Sequence, residues 1–116
     1  MKRYLAVFTS SSDATAQWEL LSDQERQKRQ AEGMSAWKKW VDDNAQSMAD
    51  LGGPLSHAKL VSRDGVSDIN NSLAAYTIVE ANSQESAAAL FENHPHFTIF
   101  PGEGVEIMEI LPIPGP

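Results

Sequence analysis

The sequence predicts a ferredoxin-like α+β fold in the order β-α-β-β-α-β: a four-stranded antiparallel sheet with two helices on one face. Three observations carry that prediction. Short β-branched and aromatic runs recur at 3–9, 55–62, 72–81 and 104–113. A long helical pattern separates the first pair and a shorter one the last pair, so two crossovers frame a hairpin. The strands are also apolar on both faces, which a lone sheet with helices on one side does not require.

The elements follow in order. "RYLAVFT", 3–9, reads as the first strand and "SSSDATAQ" as a serine-rich loop. Ser22 and Glu25, three residues apart, form a capping-box arrangement that opens the first helix. Gly52, Gly53 and Pro54 read as its stop. Between them Met34, Trp37, Val41, Ala45 and Met48 recur at spacings of three and four, one apolar stripe with Trp40 and Leu51 beside it. Residues 23–30 are polar all round and should project into solvent, and Gly33 is a candidate kink. The segment 55–62 reads as strand two, Asp64-Gly65 as a turn and 72–81 as strand three. Ser83 starts a second helix that runs into His94-Pro95-His96. Residues 104–113 form the last strand, and Pro114-Gly115-Pro116 closes the chain.

Strand one sets Tyr4, Ala6 and Phe8 on one side and Leu5 and Val7 on the other. Strand three sets Leu73, Ala75 and Val79 against Tyr76 and Ile78, and strand four Val105, Ile107 and Leu111 against Met108 and Ile110. No element remains to cover the second face, so the expected cover is a second copy, sheet against sheet. The 116 residues make a single domain, 1–116, that pairs with itself.

Composition excludes several function classes. Sixteen acidic residues against nine basic give a net charge of −7, a field that repels phosphate backbones, so no nucleic-acid partner is expected. The apolar runs are too short to span a bilayer, and the first, ending at Phe8, is too short for a signal peptide. With no cysteine, thiolate and disulfide chemistry are absent and the expected compartment is the cytoplasm. There is no phosphate loop, zinc quartet or Gly-x-Ser-x-Gly; "PGEG" at 101–104 has the wrong context to cradle phosphate.

The order of elements and several local strings resemble the YCII-related family of the dimeric α/β-barrel superfamily, over nearly the whole chain. The matching features are Trp37 and Trp40, Gly52-Gly53, Asp64-Gly65 with Asp68, Tyr76, Pro95-His96 and Val105-Glu106. Where the family carries Asp-Gly-Pro-Phe, this chain has "DGVSD". The resemblance implies a dimer whose two sheets form a barrel, a cleft between sheet and helices in each protomer, and small-molecule chemistry by a histidine and an acid.

His96 falls on the family's position. A histidine suits acid–base work because it titrates near neutrality, and Asp68 or Glu106 is the acid expected to orient it. Trp37, Tyr76 and Met108 are the expected ligand contacts in an apolar cleft. His94 and His96 alone are too few for a metal site, so neither metal nor cofactor is expected. The plainer reading competes throughout: the histidines end a helix and bond its last carbonyls, and the tryptophans pack the core. Two functions therefore stand open, a His-dependent small-molecule enzyme and a non-catalytic binding or sensing module that uses the same cleft.

Overall fold

A computed structural model describes residues 1–115; Pro116, the last residue of the closing Pro-Gly-Pro, lies outside the described residues. The described residues form six strands and four helices in the order β1 (Lys2–Ser10), α1 (Ser12–Glu19), α2 (Asp23–Asp43), β2 (Met48–Pro54), β3 (Ala58–Ser62), β4 (Gly65–Ile69), β5 (Leu73–Ala81), α3 (Gln84–Ala89), α4 (Pro95–Thr98) and β6 (Gly102–Glu109). The main sheet runs β2-β5-β1-β6 with every pairing antiparallel, and β3-β4 forms a separate two-stranded ribbon. The α+β class and the four-stranded antiparallel sheet agree with the ferredoxin-like fold that the sequence predicts, with four helices in place of the expected two.

Register fixes the two faces. Phe8 pairs with Ala75 and Val105, and Tyr4 with Val79, so these residues share the face that the helices cover. Tyr4, Ala6, Phe8, Val79 and Ala81 bury themselves there with Ala87 of α3 and Phe91, and Trp37 and Trp40 of α2 pack against them. Val7 pairs with Tyr76 and Glu106, and Leu5 with Ile78 and Met108. These six residues of the opposite set therefore point to the uncovered face, where Met108 is 42% exposed and Ile110, just beyond β6, 45%.

Four expectations change. The first helix ends at Asp43, not at Leu51; a 3-10 turn at Ala45–Ser47 leads into strand β2. Gly52, Gly53 and Pro54 are therefore not a helix stop but part of an edge strand, the place where a sheet tolerates glycine and proline. Gly52 has φ +64 and lies where a Cβ would collide with the Tyr76 carbonyl, so only glycine fits this break in the β2–β5 register. Segment 55–62 is consequently not a strand of the main sheet, and its 58–62 part forms the ribbon with β4 across the expected Asp64-Gly65 turn. The serine-rich loop is helix α1, capped by Ser11, whose Oγ accepts from Ala14 N–H at 3.1 Å. Helix α2 runs unbroken through Gly33, which is buried because the Phe100 ring lies against it with no room for a Cβ.

The polar start of α2 is exposed as expected, with Ser22 Oγ accepting from Glu25 N–H at 3.1 Å. The Cα radius of gyration is 16.3 Å, against about 13 Å for a compact chain of this length. Much of the surplus fits the ribbon, on which Leu60, Val61, Val66 and Ile69 are all exposed.

Candidate functional site

The segment that raised the histidine question opens a helix rather than closing one. Helix α3 stops at Ala89, the chain turns through Asn93 at φ +58, and His94 is the N-cap of α4 with Pro95 at the first helical position. His94 Nδ1 accepts the backbone N–H of His96 at 3.0 Å. The neutral ring must then carry its proton on Nε2. That Nε2 is buried without a hydrogen-bond partner. It sits in an aromatic box, with Trp37 and Trp40 at centroid distances of 4.5 Å and interplanar angles of 90° and 71°. Phe8 closes another side at 5.1 Å. Burial, and secondarily the charge of His96, lower the His94 pKa to about 4.

His96 is placed differently. Its Nε2 lies 2.7 Å from the carbonyl of Thr9; a carbonyl only accepts, so Nε2 carries the proton and Nδ1 holds the free lone pair. The register of β1 against β6 breaks between Thr9 and Ser10, beside this bond. Burial holds the His96 pKa below the ordinary histidine value, and the Thr9 hydrogen bond opposes that shift without cancelling it. At neutral pH the ring is a neutral base with one nitrogen tied down.

His96 borders a cavity of about 410 Å³ between α2, the β2–β5 edge and α4. Phe8, Trp37, Trp40, Met34 and Phe100 line it, and among the described residues no Lys or Arg contributes to its wall. His96 is the one lining side chain that titrates near neutrality. Trp40 Nε1–H is already used, donating to the Leu90 carbonyl at 2.7 Å, and Thr77 Oγ1 donates to the Asp50 carbonyl at 2.7 Å. Trp37 both packs on Phe8, at 5.1 Å, and lines the cavity, so the core and cleft readings of the helical stripe hold together.

The remaining candidates are dispersed. Tyr76 borders the cavity at its β5 edge, while Met108 is on the uncovered sheet face. Glu106 is exposed on that same face. Asp68 is on the ribbon, its carboxylate 2.6 Å from Lys59 Nζ. Within one chain neither acid hydrogen-bonds to His96, and the orienting position is taken by the Thr9 carbonyl. Sequence reasoning did not single out Thr9, Phe100 or Gly102. The signal for the α4 cap was present, since proline favours the first helical position and so marks the residue before it as a cap. Among the described residues no three His, Cys, Asp or Glu side chains gather to hold a metal, and no helix is long and apolar enough to cross a membrane.

No family model matches the chain, and no curated protein does either. Among solved structures it is similar to the 5-chloro-2-hydroxyhydroquinone dehydrochlorinase of Burkholderia phenoliruptrix AC1100, determined in complex with 2,5-dihydroxybenzoquinone. The TM-score is 0.52 at 13% identity, over 93% of this chain and 91% of that one. The likeness is one of fold.

Proposed function

We propose that the protein is a small-molecule enzyme or enzyme-like protein of the YCII-related type, in which His96 does acid–base work on a ligand held in the aromatic cavity. One observation carries the reading. The cavity wall is mostly apolar, the Thr77 hydroxyl is spent on the Asp50 carbonyl, and the wall includes a histidine whose Nε2–H is fixed by the Thr9 carbonyl, leaving Nδ1 as the nitrogen available to a ligand. Fixing one ring nitrogen is how a histidine is held in a defined tautomer for proton transfer. With no cation in the wall, the cavity favours neutral ligands that carry a hydrogen-bond donor, flanked by Trp37 and Tyr76. The fold neighbour, a dehydrochlorinase holding a dihydroxybenzoquinone, supports a ligand of aromatic size.

The reading includes a cytoplasmic homodimer through the uncovered sheet face, supported by its apolar Leu5, Val7, Ile78 and Met108. Asp68, on the projecting ribbon, then remains the acid that a second copy would bring toward His96, while Glu106 and Met108 belong to the joined faces. A non-catalytic binding module is the second reading, favoured by the lack of a carboxylate beside His96 within the chain.

The test is a screen of phenols and quinones by tryptophan fluorescence and turnover, repeated with His96→Ala. The enzyme keeps affinity and loses turnover in the variant. A binder shows ligand quenching and no turnover in either form. Activity that needs neutral His96 falls on acidification, with a midpoint below the ordinary histidine value because burial lowers its pKa.

A further inference from the structure

The His96 ring is held on three sides. On one, its own backbone N–H is bound by His94 Nδ1, which fixes the first turn of α4. On another, Nε2–H meets the Thr9 carbonyl. The third side is Gly102, at the start of β6 and opposite Ser10 of β1. A Cβ built there would overlap three ring atoms of His96, Nε2, Cδ2 and Cε1. The backbone of Gly102 is not in the left-handed region, so conformation does not demand glycine at this position. Space does. The neighbouring Gly104 would meet nothing, and the contrast isolates the requirement to one of the two glycines at the start of β6.

We infer that Gly102 is a positioning residue: the missing side chain lets the His96 ring lie against β6 with Nε2 on Thr9 and Nδ1 left for the cavity. Any side chain at 102 must push the imidazole off the strand. The ring would then lose the Thr9 bond, and with it the tautomer that leaves Nδ1 unprotonated. This inference concerns the ring's placement and stands whether or not His96 is catalytic.

A double-mutant cycle with a spectroscopic readout tests it. Gly102→Ala, His96→Ala and the double variant are compared in urea unfolding, and the imidazole nitrogens of His96 are followed by ¹⁵N NMR. In the parent chain Nε2 resonates as the protonated nitrogen and Nδ1 as the bare one. Gly102→Ala should lower the unfolding midpoint strongly when His96 is present and several-fold less when the ring has been removed. It should also collapse the distinction between the two nitrogens toward the mixed pattern of a free histidine. If Gly102→Ala alone fails to fold, recovery of folding in the double variant supports the inference. Equal destabilisation in both backgrounds overturns it, as does a folded Gly102→Ala protein with the His96 nitrogen pattern unchanged. Non-recovery of the double variant overturns it too.

Discussion

The sheet body and the β3–β4 ribbon are built from similar residues and come out as opposites. In the body Tyr4, Phe8 and Val79 are at most 1% exposed, and around them two tryptophans, Phe91 and two histidines pack ring against ring. On the ribbon, Val61 and Val66 are 74% and 67% exposed, although they are as apolar as Val79. A two-stranded ribbon has no second layer, and by itself it is marginal in water. The difference teaches that side-chain character does not decide burial here; the number of layers the topology supplies does. The body has helices over one face of its sheet, whereas the apolar side chains of the ribbon are left exposed.

The contrast can be broken most forcefully at Phe8. Phe8→Ala empties a site enclosed by Trp37, Phe91 and both histidines. It should cost about 3–5 kcal/mol in urea unfolding. A cost below that of an exposed position would mean the body is not the stable unit.

Next in size is pH. Unfolded His94 takes up a proton near 6.5, and the folded ring refuses it down to about 4. The folded pKa is depressed, so the unfolded state binds more protons between those values. Stability is full above pH 6.5 and is lost as the pH falls toward 4, by up to about 3 kcal/mol. The same proton would occupy His94 Nδ1 and leave the ring charged in its box, removing the cap on His96. Thermal melts across that range should fall steadily, and His94→Gln should flatten the slope.

Trp40→Phe keeps the packing against Phe91 and deletes the Nε1–H bond to the Leu90 carbonyl. About 1 kcal/mol is expected from the lost bond, read as a shift in the urea midpoint with unchanged slope. The smallest effect sharpens the comparison from the other side. Val61→Ser on the ribbon should change the unfolding of a dilute single chain by less than about 0.5 kcal/mol. If the ribbon packs on a second copy, the same change weakens self-association in sedimentation equilibrium. No change in either would leave the ribbon with no packing role.

Much of the fold was legible because its signals are local. β-branched and aromatic runs gave β1, β5 and β6, and Ser22 with Glu25 gave the start of α2. The end of α2 was misread because Ala45 and Met48 continue the spacing begun at Met34 while belonging to a turn and a strand. Gly52-Gly53-Pro54 carries the same letters whether it stops a helix or bends an edge strand; only the nearness of the Tyr76 carbonyl distinguishes them. Of the site, His96 and Trp37 were legible as side chains with suitable chemistry. Thr9 was not, because it acts through its backbone carbonyl, which every residue possesses. Gly102 was not, because its contribution is an absence of atoms opposite a ring 6 residues away in the chain but on another element.

Strand β1, made before the other three strands of the sheet, lies in its interior. Val7 is paired on one side with Tyr76 and on the other with Glu106. During synthesis this apolar strand therefore emerges with neither neighbour in existence, and its second edge stays open until the last strand has left the ribosome. Folding of the body is thus a late and nearly simultaneous event, with high sequence separation in its central pairings. Until then Tyr4–Phe8 is a bare strand that must be kept from pairing with other chains. A truncation that removes β6 and the residues after it should cause aggregation, read by light scattering. The cause would be a seat left vacant beside β1, more than any apolar area lost.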